Sequence, residues 1–555
     1  MGSVKSQIGH TKAAAGAAGL VKAVLSLYHK VLPPTIKVRN PLPPLKDEGC
    51  PFYVNTEARP WLASGTHPRR AGVSAFGFGG SNFHCLLEES GEIKMPFETG
   101  VHLLPFSGAD MPELIKGIQD LAEEAWLSVP SESLENERHA ADYFSQAVDW
   151  LLRPRLSSFD REAPARLFLA FPAERARDYL SSLPEILREH VLKTEIFSLP
   201  DGLFFGKGRR APGILYFAPG AFRLAPGTGR DLALNFPHFQ MIMDLFAGSR
   251  AGTPLGQLLY PPELAPAALK ERWARELADP AAGYFIKTAL AIALHELYSF
   301  FGARAGRVAG QGPGLVAALV ISGWLPLKEA VRALGEVAPG DPEALRRAVA
   351  SLPAEPPRAG GPFPELACPD GRSLRDAADA RARLAEDLDL YLEDPDGFDA
   401  GPVPSLFPDD LLLYAGISSG PFGGGLGLFS EGRILAAPRT ALDFAKNLAR
   451  LACEAVPVNF RNWSSYAFPP PKPGGHHVLL SGANTFRPRD LMPPRAPGAV
   501  PAAPGPGDLA ARVEELALLQ AETLERLGSL EGALRAAADA PAAAPPRQVA
   551  VRPAG

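Results

Sequence analysis

Glycine and proline decide how this chain can be divided. Its 555 residues include 58 prolines and 54 glycines, and these breakers punctuate it into short periodic pieces. Leu32 to Leu45 is a proline-bounded loop. Residues 91–210 read as a small α/β module. It has a helical pattern over Met111 to Trp126, an apolar strand over Ala165 to Phe171 and a second helix over Ala173 to His190. From Gly213 to about residue 480, short apolar runs alternate with helical patterns, which predicts a larger α/β region. Residues 486–507 are rich in Pro, Ala and Arg and read as a linker. Asp508 then has the character of an N-cap before a stripe of Leu509, Val513, Leu516, Leu519, Leu524, Leu527 and Leu534, a C-terminal helix over 508–537. The Pro/Ala-rich tail, 538–555, is expected to be disordered.

At this length three or four domains are expected. A hydrophobic content of 46% with 21% charged residues is ordinary for a globular protein. A net charge of −5 and a pI near 6.2 argue against a nucleic-acid-binding surface. The apolar stretches near Phe285 to Phe301 and Leu315 to Leu327 are too short or too interrupted to span a bilayer. Four cysteines, at 50, 85, 368 and 453, have neither metal nor disulfide spacing, so a reducing cytoplasm is the expected setting. The adjacent pair His476 and His477 lacks further ligands, and no metal site is expected.

The first ninety residues carry the densest motif. In Gly2-Ser-Val-Lys5-Ser-Gln-Ile-Gly-His10-Thr-Lys, a Lys and a His lie five residues apart on a Gly-flanked turn, ahead of a small-residue helix over roughly 11–30. A glycine-rich loop follows, Ser74-Ala-Phe-Gly-Phe78-Gly79-Gly80-Ser-Asn82-Phe-His84. Together these resemble the C-terminal half of a ketosynthase, the condensing domain of polyketide and fatty acid synthases. The resemblance implies that His10 is one of the two His residues promoting decarboxylation, supported by Lys5. Phe78, Gly79, Gly80 and Asn82 would shape the acyl pocket. An imidazole donor there stabilises the developing enolate oxygen as carbon dioxide leaves. The nucleophilic Cys and the other His of the family lie upstream of this turn, and neither Cys50 nor Cys85 sits in the nucleophile motif. Cys85 is expected as a small buried strand residue. The half-domain would leave a large apolar face exposed. Either a separate polypeptide supplies the other half or the chain is a fragment of a longer gene product, and the position of Met1 favours the fragment.

The resemblance continues. Leu103-Leu-Pro-Phe-Ser-Gly and Gly202-Leu-Phe-Phe-Gly-Lys-Gly look like the ketosynthase–acyltransferase linker of modular synthases, closest in style to the polyunsaturated fatty acid synthases. Gly213-Ile-Leu-Tyr-Phe-Ala-Pro-Gly220, followed by Gly227-Thr-Gly229-Arg-Asp-Leu, resembles the opening of an acyltransferase domain. Leu448-Ala-Arg-Leu-Ala-Cys453-Glu-Ala-Val-Pro-Val-Asn-Phe resembles its closing helix and exit strand. The family's elbow, Gly-His-Ser-x-Gly, exposes a serine to a His base on a strained strand-to-helix turn. Here it reads Gly310-Gln311-Gly312-Pro313-Gly314, with Gly312 at the nucleophile and Gln311 at the His. The oxyanion loop Gly-Gln-Gly-x-Gln becomes Gly220-Ala221-Phe222-Arg223-Leu224, with Leu224 at its last Gln. No His occurs between His295 and His476 to serve as base. The Arg that would clamp a malonyl carboxylate about 25 residues past the serine falls on Val337. Replacement nucleophiles at Ser322 or Ser418 are not expected, since neither sits on an elbow-like turn with a partner His.

The fold class expected is therefore α/β, in three pieces. A partial thiolase-like half-domain covers 1–90 and a small α/β linker 91–210. An α/β-hydrolase-like acyltransferase domain covers 211–485, with a ferredoxin-like insert within 340–405. Two functions stay open. The first is a segment of a polyketide or polyunsaturated fatty acid synthase with a scaffold-type, catalytically dead acyltransferase domain. The second is a condensing enzyme, a 3-oxoacyl-carrier-protein synthase, completed by an upstream polypeptide in which His10 and Lys5 act. In either case the resemblance implies an acyl carrier protein as partner, bringing the phosphopantetheine, and no cofactor bound directly. The rest of the synthase, in a homodimer, is the other expected partner.

Overall fold

In the computed structural model, residues 1–464 are described, apart from 48, 66, 78, 91–98, 130–136, 191–195, 200–201, 209–211, 221, 358–362, 369–373, 396–409 and 417–433. Met1–Pro470 fall in one compact unit. The linker 486–507, the C-terminal helix, the tail and the pair His476 and His477 all lie outside the described residues.

The chain opens with a helical turn, Lys5–Ile8, and helix α1 (Ala15–His29). Strands β1 (Val31–Leu32) and β2 (Arg59–Pro60) pair antiparallel, and β3 (Arg70–Phe76) and β4 (Asn82–Glu88) form a hairpin against which α1 packs. Two glycines let them meet: a Cβ on Gly16 would lie 2.9 Å from the Ala75 Cβ, and one on Gly19 3.4 Å from Val73. Among the described residues, nothing covers the outer side of this pair. Val21, Val24, Leu25 and Tyr28 of α1 and Phe76, Phe83 and Leu86 of the hairpin are all exposed, Leu86 at 79%. The exposed apolar face expected from the sequence is present.

A second layer follows: β5 (Val101–Gly108), α2 (Met111–Leu127), α3 (Glu137–Ser158), β6 (Ala165–Pro172), α4 (Ala176–His190), β7 (Ile196–Leu199) and β8 (Leu203–Lys207). The antiparallel sheet order is β5-β6-β8-β7. Alternation splits its residues between two cores. Leu104, Phe106, Leu167, Leu169 and Phe171 join one with the three helices. Leu103, Phe168 and Ala170 face the other, larger core. Asp110 starts α2 by accepting the Glu113 N–H.

The larger core surrounds a parallel sheet ordered β11-β10-β9-β12-β13, from β9 (Ile214–Ala218), β10 (Arg307–Gly310), β11 (Glu365–Leu366), β12 (Leu411–Tyr414) and β13 (Ile434–Leu435). After β9 come α5 (Arg230–Asn235), α6 (Pro237–Ser249), α7 (Ala267–Leu277) and α8 (Pro280–Phe300). Helix α8, capped by Asp279, is buried nearly all round as a central core helix must be. Among the described residues no single helix is long and apolar enough to cross a membrane. After β10 come α9 (Pro313–Ile321), α10 (Leu327–Gly335) and α11 (Pro342–Ala350), and after β11 comes α12 (Ala377–Glu393). Helix α13 (Ala441–Cys453), held by a Thr440–Asp443 capping box, packs on β6 and ties the two layers together. Buried Arg166 reinforces the joint, donating to the carbonyls of Cys453, Ala163 and Gly208.

Three local expectations change. The described part of 340–405 forms no separate ferredoxin-like sheet. Asp341 and Asp376 cap two helices, and the intervening β11 joins the central sheet parallel to β10. The segment after α13 is coil and a helical turn, Arg461–Ser464, rather than an exit strand. Cys85 is exposed, because no described layer covers the outer side of the hairpin.

Candidate functional site

The turn after β10 gathers the buried polar side chains of Lys287, Thr288, Gln311 and Asp387. It lies at the C-terminal end of a parallel strand, beside the loop that leaves β9, where α/β sheets place their ligands. The strand ends at Gly310, and α9 starts at Pro313. Between them Gly312 has φ 52° and ψ −123°, a conformation that strains any L-residue. Its neighbours make the turn possible. A Cβ on Gly310 would lie 2.0 Å from the Gly314 carbonyl oxygen, and one on Gly314 1.9 Å from that of Ala218. A Cβ on Gly312 would instead meet Tyr391 at 3.4 Å, ordinary contact. The strand-to-helix elbow is thus complete in its backbone, and the residue at its apex has no side chain.

The groups around the apex are paired with one another. The Gly312 N–H donates to Asp387 Oδ2 at 3.0 Å, and the Tyr284 hydroxyl donates to the Gly312 carbonyl at 3.1 Å. Thr288 donates to the Pro313 carbonyl. Pro313 has no N–H, so the donor that an elbow usually offers to an oxyanion from the residue after its nucleophile is missing. Asp387, fully buried on α12, has Arg383 one turn back, with Nε 3.1 Å from Oδ1 but out of hydrogen-bond alignment. Tyr284 and Tyr391 meet edge to face. Burial, with the Asp387 charge and Tyr391 beside it, pushes the Tyr284 phenol well above its ordinary range. Lys287, also buried, donates to the carbonyls of Gly220 and Pro395 and lies over the rings of Phe222 and Tyr391.

Gln311 is buried beside the apex, its N–H bonded to the Ala218 carbonyl and its Oε1 without a hydrogen-bond partner among the described residues. Leu224 and Val337 are half-buried and pack against the main core as apolar side chains. Arg223 is exposed, Phe222 is buried, and Ala221 lies outside the described residues. Ser322 caps the far end of α9 from the elbow and donates to Leu319; Ser418 lies outside the described residues. His295 is also remote from the elbow. It lines a cavity of about 760 Å³ with Glu296, Ser299, Arg304 and residues around Val320 to Leu327, beyond the C-terminal end of α9. Tyr284, Lys287, Asp387 and Tyr391 were not anticipated. Lys287 was visible as a charge inside an apolar stretch; Asp387 is one of many acidic residues on its helix and gave no such signal.

At the N-terminus, His10 and Lys5 are exposed. The His10 Nδ1 accepts the N–H of Lys12, and among the described residues no hydrogen bond or ion pair joins either side chain to the glycine loop. Gly79 and Gly80 lie on the β3–β4 turn and Asn82 opens β4; all three are exposed, with Gly80 at φ 84°; Phe78 lies outside the described residues. Cys50 is half-buried. No cluster of three metal-ligating side chains occurs among the described residues.

A third constellation has the spacing of a hydrolytic triad. His102 Nε2 lies 3.1 Å from Ser145 Oγ, and its Nδ1 lies 2.8 Å from Asp149 Oδ1. The Ser145 hydroxyl proton, however, goes to the Ala173 carbonyl at 2.9 Å. The serine sits within α3 rather than on an elbow. We read it as a strut between β5, α3 and the start of α4.

Residues 1–39 match the family described as beta-ketoacyl synthase, C-terminal domain. The chain is 34% identical over 287 residues to a polyunsaturated fatty acid synthase polypeptide of Thraustochytrium sp., covering 47% of this chain and 10% of that protein. It is 30% identical over 338 residues to polyketide synthase GfsA of Streptomyces halstedii, covering 60% and 4%. Over 89 residues it is 51% identical to polyketide synthase PksL of Bacillus subtilis, covering 16% and 2%. The chain thus spans a tenth or less of the length of each. Among solved structures, the acyltransferase domain of ZmaA superposes with a TM-score of 0.46 and 12% identity, covering 68% of this chain and 100% of that domain.

Proposed function

From the premise that this chain is polyketide-synthase-like, with the C-terminal part of a ketosynthase and an acyltransferase domain, we propose that its acyltransferase domain is a non-catalytic scaffold. The proposed extents are 1–90 for the ketosynthase part, 91–210 for the linker and 211–485 for the acyltransferase part. The observation that carries the reading is the elbow. Its backbone is kept, while Gly312 supplies no nucleophile, Pro313 no oxyanion N–H, and the Gly312 N–H is spent on Asp387. A triad enzyme without nucleophile, base and oxyanion donors keeps at most residual binding effects. Leu224 and Val337, apolar and packed on the core, support the same reading for the oxyanion and carboxylate-clamp positions.

A second reading concerns the N-terminal part and is favoured by its exposed apolar face. His10 and Lys5 are the retained members of a condensing site completed by a nucleophilic Cys and a second His from outside residues 1–89. The pocket wall is the loop bearing Phe78, Gly79, Gly80 and Asn82. In both readings the partners are an acyl carrier protein, which brings phosphopantetheine, and the remainder of a dimeric synthase, in the cytoplasm.

The test is intact-mass spectrometry of the full chain after incubation with malonyl-CoA and acetyl-CoA, with and without a carrier protein. The expected result is no covalent acyl adduct. An adduct on any residue of 211–485 would overturn the scaffold reading, and its position would name the replacement nucleophile.

A further inference from the structure

Deleting a nucleophile does not require anything to take its place, yet here the side toward which a Cβ on residue 312 would project is occupied by one helix, α12. Asp387 and Tyr391 stand one turn apart on α12, so both point to the same side. The first accepts the apex N–H, and the second lies where a side chain on residue 312 would project. The helix is fastened on both flanks. The Tyr391 hydroxyl donates to the Pro280 carbonyl, and Lys287 binds the carbonyl of Pro395 just past the helix while holding Gly220 across the crevice. Asp387 has no access to solvent. A buried carboxylate is retained only where donors and positive potential receive it. Here these are the Gly312 N–H, the Arg383 guanidinium and the N-terminal end of the nine-residue α9. Such an arrangement is an anion seat whose ligand is part of the chain.

We propose that α12 is an intramolecular plug of the elbow, in which the Asp387 carboxylate occupies an anion seat and the Tyr391 ring covers residue 312, closing the crevice to acyl groups. This rests on reading the elbow as a former acyl site. It goes further in stating that the site is occupied, not merely disarmed, and that the seat takes a carboxylate.

Two measurements on the full chain test it. In a Cys50→Ser, Cys85→Ser background, Gly312→Cys is treated with iodoacetamide and modification at 312 is followed by peptide mass. Adding Tyr391→Ala should raise the rate about tenfold or more, because access no longer requires local opening of the helix. Equal rates with and without Tyr391 would overturn the cover. If the strained Cys at 312 prevents folding, the second measurement stands alone. Asp387→Ala should melt several degrees below the native chain. Formate at roughly 0.1 M should raise the variant's melting temperature and not that of the native chain, by mass action at the vacated seat. A variant that melts with the native chain, or a formate effect common to both, would overturn the seat. Neither result depends on acyl-CoA chemistry. An adduct in the mass experiment would therefore sink the scaffold reading without touching these outcomes, and failure here would leave the missing nucleophile as it stands.

Discussion

Two glycines of similar sequence appearance have different roles at the residue scale. Gly314 is required by contact, since its missing Cβ admits the Ala218 carbonyl at a distance no side chain tolerates. Gly227 is required only by its φ of 93°, with open space around it. Gly314→Ala is therefore expected to cost roughly 3 kcal/mol through forced displacement of β9 from α9, and Gly227→Ala about 1 kcal/mol. Urea unfolding midpoints of the two variants check the ranking, and equal losses would show that the elbow relaxes freely. Arg69 offers a second test. It binds Glu89 and Asp244 together, joining the N-terminal part to α6. Burial alone would raise the Glu89 pKa. The backbone and side-chain hydrogen bonds from Arg69 outweigh it and hold this carboxyl below its ordinary value. Its folded pKa is thus depressed, so its stabilisation is present above about pH 4.5 and lost as pH falls through the folded value. Glu89→Gln should be less stable than the native chain at neutral pH, with the difference vanishing in acid. A gap that persists at pH 3 would assign the loss to packing instead. Asp244 runs the other way, because burial raises its pKa more than Arg69 lowers it.

Helices and strands differ in how far the sequence announced them. The helix from Met111, the strand from Ala165 and the helix ending at His190 appear within a few residues of their expected bounds. Each carries its own apolar period and its own start signal, such as the Asp110 cap. Helix α3 was not read, since Pro154 sits inside its 22 residues and its apolar face is completed only by α2 and α4. The strand β11 was unreadable for a related reason: two residues acquire strand geometry only by lying alongside β10. The element most exposed to test is the pair of α1 and the β3–β4 hairpin. Their outer residues stay half to largely exposed in the fold, so Val24→Lys with Leu86→Lys should leave the unfolding free energy within about 0.5 kcal/mol of the native chain. The same double change should reduce binding of the dye 8-anilinonaphthalene-1-sulfonate, which reports exposed apolar surface. Unchanged dye binding would mean that this face is covered in solution.

For the whole molecule, the sequence determined that the chain is α/β and that the strand-to-helix turn Gly310-Gln311-Gly312-Pro313-Gly314 carries no serine. These are local facts: periodicity, capping residues, and glycines whose spacing admits one kind of turn. The tertiary structure alone decided what surrounds the elbow. Asp387 and Gly312 are 75 residues apart in the chain, and nothing in the composition of α12 distinguishes Asp387 from Asp379 or Asp389. Only the packing of α12 across the end of the parallel sheet buries Asp387 fully and leaves Asp379 and Asp389 at the surface, paired with Arg375 and Arg346. A buried charge exists where the fold supplies its donors, and those donors come from the turn after β10 and the preceding turn of the same helix. The same reason separates the joint at Arg166 from the open face at Leu86. Both are strand residues in ordinary patterns, and only the layer that the fold did or did not place beside them made one a buried tie and the other an exposed surface.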